Sequence, residues 1–147
     1  LSCQEVVKIF RELNIQGNII LTLSTYGLVC PDLKIYEGLK SGSNIYDSND
    51  SLTTPMSYTA TKSGLLGIIK WLSGTHGKYG IRVNGISPGG VYDGQEDSFH
   101  DSYVERVPLG RMATWDEYNG AILFLASEAS RYMTGANLVI DGGWTVM

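Results

Sequence analysis

The sequence predicts an α/β protein, a parallel sheet of three strands with helices on both faces. Three apolar runs indicate the strands: "NIILTLS" at 18–24, "IRVNGIS" at 81–87 and "NLVIDGG" at 137–143. Strands of a parallel sheet buried on both faces have near-continuous apolar sequences of this kind. Segments with helical periodicity separate the runs, and strands that alternate with helices favour a parallel sheet covered on both sides.

Each helix has a pattern of its own. Residues 1–13 and 56–74 carry apolar residues at helical spacing: Val6, Ile9, Phe10 and Leu13 in the first, and Leu65, Leu66, Ile69 and Leu72 in the second. Thr114 and Glu117 form the sequence pattern of a capping box, which predicts a further helix through residues 118–130. Residues 25–55 are rich in Gly, Ser, Asn, Asp and Pro and predict a long loop, and we expect no regular structure at 92–112.

Composition excludes several classes of function. The chain has 147 residues, 43% of them hydrophobic, with a net charge of −4, and it is long enough for one domain with a core. Without a basic cluster we expect no nucleic-acid partner, and the apolar stretches are too short for a membrane span. The two cysteines are isolated and only two histidines are present, so we expect no metal site and a reducing, cytoplasmic compartment.

The pattern Tyr-x-x-x-Lys occurs twice, at Tyr36–Lys40 and at Tyr58–Lys62. On a helix, residues four apart share a face, so the ammonium would lie beside the phenol and favour its ionised form. Such a pair can transfer protons, but by itself it is more often a packing tyrosine beside a surface lysine. Only Tyr58 opens a segment with helical periodicity, because glycines interrupt the first copy, and the second copy is therefore the better candidate.

The order of three motifs strengthens this choice. The first predicted strand ends in Ser24, the next helix opens with Tyr58 and Lys62, and the second strand ends in Asn84-x-x-x-Pro88-Gly89. This order resembles the short-chain dehydrogenase/reductase family, and residues 109–144 resemble its carboxyl-terminal end. The resemblance covers the whole chain but only the family's second half. It implies that residues 1–147 are a partial domain, the carboxyl-terminal part of a doubly wound, Rossmann-type sheet, with 25–55 as a loop insertion.

The family's chemistry implies a role for each matching residue. Tyr58 would exchange a proton with the carbonyl or alcohol oxygen of a small-molecule substrate, and Ser24 would hydrogen-bond the same oxygen. Lys62 would favour the ionised phenol and contact the ribose of the cofactor, NAD or NADP, as Tyr58 also would. The segment Pro88, Gly89, Gly90 and Val91 would form the wall beside the nicotinamide. The family also implies a homo-oligomer, a dimer or a tetramer.

Among the departures of this sequence from the family, two bear on the choice of tyrosine and on the cofactor site. The family's usual spacing from serine to tyrosine fits Tyr36 (36 − 24 = 12) and not Tyr58 (58 − 24 = 34). We keep Tyr58 because of its helix, which makes the intervening residues an insertion. The glycine-rich strand–loop–helix that cradles a pyrophosphate does not occur, so we expect that the nucleotide-binding half is absent and that the chain lacks its beginning.

Two functions remain open at this point. The first is an NAD(P)-dependent oxidoreductase that interconverts an alcohol and a ketone, with a sugar derivative as a candidate substrate. The insertion and "SPGGVYDGQEDSF" resemble family members associated with bacterial surface-sugar and flagellar-glycan synthesis. The second is a truncated, non-catalytic chain that associates with other subunits. Considered without Tyr58, Ser24 would more simply cap the end of a strand. Asn84 is expected to have a structural role under either function.

Overall fold

A computed structural model describes residues 2–37, 39 and 54–147. Its helices are α1 (Ser2–Glu12), α2 (Met56–His76), α3 (Asp97–Val104) and α4 (Asn119–Ala126). Its strands are β1 (Gly17–Thr22), β2 (Ile81–Pro88) and β3 (Asn137–Ile140). Short 3₁₀ turns include Thr25–Gly27 and Leu33–Tyr36, both within the predicted loop of 25–55, and much of the rest of that loop lies outside the described residues.

The three strands form one parallel sheet in the order β1-β2-β3, which confirms the predicted fold class. The central strand β2 is buried over nearly its whole length, as a doubly covered strand should be. β1 lies at an edge of this sheet, and most of its residues are only half-buried. The prediction of a strand buried on both faces therefore holds for β2 and is too strong for β1.

Helices cover both faces of the sheet. On one face, α1 and α2 pack against the strands through a buried apolar cluster: Val7, Leu23, Ile69, Leu72, Ile81 and Val83. Side chains of alternate residues point to the other face. There Asn18 and Arg82, which are paired in register, both donate hydrogen bonds to the carbonyl of Leu125 in α4. None of the described helices combines the length and apolar character that a membrane crossing needs.

A second apolar cluster lies beyond the carboxyl ends of the strands. Its buried members are Ile35, Tyr103, Val107, Met112 and Trp144, and the rings of Tyr103 and Trp144 stack with centroids 4.6 Å apart. Tyr103 belongs to α3, so the expectation of no regular structure at 92–112 was wrong. An eight-residue helix is too short to be stable by itself. Tertiary packing stabilises it, and this packing cannot be read from local periodicity.

Two helix boundaries also differ from the expectation. α2 continues two residues past Gly74, to His76. At the capping-box pattern, the carboxylate of Glu117 does accept a hydrogen bond from the backbone N–H of Thr114, at 2.8 Å. The reciprocal bond, from the N–H of Glu117 to the hydroxyl oxygen of Thr114, is not formed, because that N–H donates to the backbone carbonyl of Thr114 at 3.3 Å. The Thr114 hydroxyl donates to Asp116, and α4 begins only at Asn119.

Candidate active site

One cavity of about 390 Å³ lies at the carboxyl ends of β1 and β2. Ligands of parallel α/β sheets bind outside this edge. The cavity brings together Ser24, Tyr58 and the segment from Pro88 to Val91. Lys62 lies one helical turn behind Tyr58, on the same side of α2. The residues singled out from the sequence thus converge on one place, although Ser24 and Pro88 are 64 positions apart (88 − 24).

Ser24 lies two residues past the end of β1 and caps the 3₁₀ turn of residues 25–27. Its side-chain oxygen accepts a hydrogen bond from the backbone N–H of Tyr26, at 3.2 Å. A hydroxyl has one donor and two acceptor lone pairs. The capping bond uses one lone pair, so the O–H of Ser24 can still donate to a ligand oxygen in the cavity.

Tyr58 lies in the first turn of α2, and its ring is partly exposed at the cavity. The ammonium of Lys62 lies 5.7 Å from the centroid of that ring. Lys62 also donates a hydrogen bond of 2.9 Å to the carbonyl of Thr22 at the end of β1. This bond fixes the start of α2 against the strand that leads into Ser24. The other copy of the pattern differs, because Tyr36 ends a 3₁₀ turn and Lys40 lies outside the described residues.

The segment from Pro88 to Val91 is held by hydrogen bonds on several sides. The N–H of Gly89 donates to Ile140 at 2.8 Å, and the N–H of Gly90 donates to the Tyr103 hydroxyl at 2.6 Å. The carbonyl of Val91 accepts a bond of 2.8 Å from the side-chain amide of Gln95. The backbone of this wall is therefore fixed before any ligand arrives.

Asn84 is fully buried, and its hydrogen bonds are those of a structural residue, as expected from the sequence. Its amide donates to the carbonyl of Met133 and its oxygen accepts from the N–H of Ala136, which joins β2 to the loop before β3. The two histidines lie outside the cavity lining. His76 ends α2 between Trp71 and Tyr79, where desolvation and then the charge of Arg11 lower its pKa.

The sequence did not identify the other cavity wall. Tyr26, Tyr36 and Thr54 line it together with Phe99 and Tyr103 of α3. Tyr36 was noted only as part of a Tyr-x-x-x-Lys pattern, and its contribution to the cavity depends on long-range packing. The one sequence signal for this wall was the spacing from Ser24 to Tyr36, because it equals the family's usual spacing from the catalytic serine to the catalytic tyrosine.

Among the residues that the structure describes, no group of three His, Cys, Asp or Glu side chains is placed to hold a metal ion. The polar groups of the cavity are hydroxyls, phenols, backbone amides and the side-chain amide of Gln95. These groups bind neutral polar ligands by donating and accepting hydrogen bonds.

Comparison with known proteins places this geometry in a family. The family model described as enoyl-(acyl carrier protein) reductase matches residues 42–145. Post-translational flagellin modification protein A of Campylobacter coli is 31% identical over 144 residues, 98% of this chain and 52% of that protein. L-rhamnose 1-dehydrogenase (NAD(P)(+)) of Azotobacter vinelandii is 42% identical over 92 residues, 58% of this chain and 36% of that protein.

A solved structure gives the same result. The short chain dehydrogenase of Leptospira borgpetersenii with bound NAD+ superimposes with a TM-score of 0.85 at 35% identity. It covers 98% of this chain, and the chain covers 50% of it. The chain thus spans about half the length of the flagellin relative and of this structure, and less of the rhamnose dehydrogenase. Because the family model covers most of the chain and the folds agree, the chain belongs to the short-chain dehydrogenase/reductase family.

Proposed function

We propose that this chain carries the substrate side of an NAD(P)-dependent oxidoreductase site that interconverts an alcohol and a ketone. The observation that carries the proposal is the shared cavity. It joins a phenol with a nearby ammonium, a serine hydroxyl and a fixed backbone wall at the carboxyl ends of two neighbouring strands. Each of these features alone has an ordinary structural explanation, but their convergence favours a catalytic site.

In this proposal Tyr58 is the general acid and base. It gives a proton to the carbonyl oxygen during reduction and takes one from the alcohol during oxidation. Ser24 donates its free O–H to the same oxygen and so holds the reacting group beside the phenol. Lys62, 5.7 Å from the phenol ring, favours the ionised phenol through its positive charge.

The cavity residues fit the nicotinamide end of the cofactor. Pro88, Gly89 and Gly90 present a wall with little side-chain bulk, on which a flat ring can lie, and Lys62 and Tyr58 would bind the adjoining ribose. The two glycine N–H groups are already bonded within the protein, as is the Val91 carbonyl. The N–H of Val91 has no such partner among the described residues, so a carboxamide contact with this wall would use that N–H, use the second lone pair of a carbonyl oxygen, or displace Gln95. The cofactor supplies or accepts the hydride.

A sugar or sugar derivative is the substrate class that the cavity supports best. One relative is an L-rhamnose dehydrogenase and another modifies flagellin, according to their names. The cavity itself combines aromatic rings with several hydroxyls, a composition suited to a ring that carries hydroxyl groups. This class agrees with the polar insertion noted in the sequence.

Association with other copies is a separate element of the proposal. The outer faces of α1 and α2, together with the residue that follows α1, expose large apolar side chains: Ile9, Leu13, Ile68 and Trp71. The α2 glycines Gly64 and Gly67 have nothing within 4 Å of the position that a Cβ would occupy, so a second helix could approach closely there. These features favour a homo-oligomer, and they are also what a non-catalytic association module would need. Molar mass by light scattering tests association, with Trp71→Glu as the disrupting variant.

Titration of the 147-residue chain with NADH and NADPH, followed by nicotinamide fluorescence, tests the oxidoreductase function. Saturable micromolar binding is expected if the wall and Lys62 form enough of the cofactor site. Turnover is then measured with sugar ketones and alcohols. Tyr58→Phe should abolish turnover, because it removes the proton-transferring oxygen, and should weaken cofactor binding only by the one hydrogen bond from Tyr58 to the ribose, since Lys62 and the wall remain.

Tyr132→Phe is the matched control, since Tyr132 is fully exposed and lies outside the cavity lining. Turnover that survives in Tyr58→Phe would refute the assignment of the general acid. Absence of both binding and turnover in the folded chain would favour the association module.

A further inference from the structure

We propose that Tyr26, Tyr36 and Thr54, here called the hydroxyl wall, bind the hydroxyl groups of a polyhydroxylated substrate and so determine specificity. The inference rests on the function proposed above, because it assigns the part of the substrate that does not react. The hydroxyl wall and the catalytic candidates Ser24 and Tyr58 line the same cavity.

The three side chains of the hydroxyl wall form a hydrogen-bonded row. The hydroxyl oxygens of Tyr26 and Tyr36 lie 3.3 Å apart, and those of Tyr36 and Thr54 lie 2.8 Å apart. Three hydroxyls carry three donors and six acceptor lone pairs. Their two mutual bonds use two donors and two lone pairs. One donor and four lone pairs thus remain for contacts outside the row.

The direction of this row is reversible, since either oxygen of each pair can be the donor. The spare donor therefore lies on Tyr26, on Thr54, or on Tyr36 when both neighbours donate to it, depending on which way the hydroxyls point. A sugar hydroxyl is itself both a donor and an acceptor, and a reversible row matches it in either role. A carboxylate could use only the spare donor of the row, and an ammonium only its lone pairs.

The phenol of Tyr26 remains a neutral donor at physiological pH. Burial, followed by the hydrogen bond to Tyr36, raises the pKa of Tyr26 well above its ordinary value. An ionised phenol could accept hydrogen bonds only. The row thus keeps the donor that a polyol would need.

Tyr36 is held in place by its turn before a ligand binds. Asp32 caps the turn by accepting a hydrogen bond from the N–H of Lys34, and its carboxylate also pairs with Arg106 at 3.3 Å. Ile35 is buried in the second apolar cluster, and the ring of Tyr36 packs on Phe99 with centroids 5.6 Å apart. A preorganised group loses little conformational entropy on binding and contributes more to affinity.

A wall built in this way should discriminate by hydroxyl content. A site that hydrogen-bonds a substrate hydroxyl strongly disfavours an analogue without it, because the polar groups of the site are then left unpaired. Aromatic faces from Phe99 and Tyr103 provide apolar contact for the carbon skeleton in the same cavity. Skeleton and hydroxyls would thus be recognised by different side chains.

Binding to matched probes tests this proposal directly. The probes are myo-inositol with cyclohexanol, and D-sorbitol with 1-hexanol, pairs that share a carbon skeleton and differ in hydroxyls. Ligand-observed NMR on the full 147-residue chain gives dissociation constants without any need for turnover. Tyr36→Phe keeps the ring that packs on Phe99 and removes only the hydroxyl. It should weaken polyol binding about 3- to 10-fold, as expected for one neutral hydrogen bond, and change alcohol binding less than about twofold.

Thr54→Val is a second variant, which removes the hydroxyl next to that of Tyr36 at nearly constant side-chain volume. Because it shares a hydrogen bond with Tyr36, the effects of the two substitutions on polyol binding should not add. Tyr132→Phe, outside the cavity lining, should change neither probe class. Equal weakening of polyols and alcohols by Tyr36→Phe would overturn the proposal, as would a wild-type chain that binds neither polyol.

The same variants separate this inference from the proposed function. Polyol binding that depends on Tyr36, in a chain without nicotinamide turnover, would refute the oxidoreductase function and support the hydroxyl wall. Turnover that is lost in Tyr58→Phe, together with Tyr36-independent binding of polyols, would support the oxidoreductase and refute the wall.

Discussion

Gly27 lies between two of the catalytic candidates, Ser24 and Lys62. Substitution of this glycine therefore tests whether activity depends on the distance between the Ser24 turn and α2. Gly27 ends the 3₁₀ turn that follows Ser24, and it is buried against the backbone of Lys62. A Cβ at this position would lie 2.9 Å from the Lys62 carbonyl carbon and 3.0 Å from its oxygen. Ordinary contacts begin at 3.4 Å, so restoring one in Gly27→Ala requires the turn and α2 to separate by about 0.5 Å (3.4 − 2.9).

This displacement should lower both the free energy of unfolding and the catalytic rate. Overpacking of a fixed backbone typically destabilises a protein by about 1–3 kcal/mol. A 1 Å misplacement of reacting groups can cost about 10²-fold in rate, so a shift half as large should cost roughly tenfold. Guanidinium unfolding gives the free energy of unfolding, and turnover with a sugar alcohol gives the rate.

Gly74→Ala is the matched control on the same helix, away from the glycines proposed for association. A methyl group there meets nothing within 4 Å, and alanine is a better helix former than glycine by about 1 kcal/mol. The two identical substitutions should therefore change stability in opposite directions. An unchanged unfolding midpoint and rate in Gly27→Ala would refute the argument that α2 is fixed at van der Waals contact beside Ser24.

Three further substitutions test single contacts. Asn84→Ala removes a fully buried amide and leaves two backbone partners unpaired, so denaturation should show a loss of about 2–4 kcal/mol. Tyr103→Phe removes the acceptor of the Gly90 N–H, which should cost about 1 kcal/mol and weaken NADH binding in the fluorescence titration. Arg111 and then a backbone N–H lower the pKa of Glu117 to about 2, so its stabilisation is complete above about pH 4.5 and is lost as the pH falls toward 2. The melting temperatures of wild type and Glu117→Gln should accordingly differ at pH 7 and converge near pH 2.

The sheet and its first core were predictable because their signals are local. Ile81, Val83 and Leu23 lie in short apolar runs, and Ile69 and Leu72 follow a helical period, so the sequence already indicates which faces are buried. Helix α3 was not predictable in this way. It is short and polar, and it is stabilised by contacts of residues such as Tyr103 with Trp144, far away in the chain.

The same distinction between local sequence signals and long-range packing applies to the residues of the site. Ser24, Tyr58 and Pro88 stand at element ends, and the rule that ligands bind at the carboxyl ends of parallel strands brings them together without a structure. Tyr36 and Thr54 belong to the insertion, where no periodicity indicates a direction for any side chain. Their place in the cavity depends on the burial of Ile35 and on the pair of Asp32 with a distant arginine, which only the folded chain reveals.

The two walls therefore depend on different parts of the sequence. The catalytic candidates are positioned by the sheet and by α2, through the bond from Lys62 to Thr22. The hydroxyl wall is positioned by its own capped turn and by α3. If the proposed roles are correct, changes at Tyr36 should alter which alcohol is bound while proton transfer at Tyr58 continues. On this proposal, a family with one chemistry acquires a new substrate through residues 25–55, because that segment would contact the substrate without supporting the groups that react.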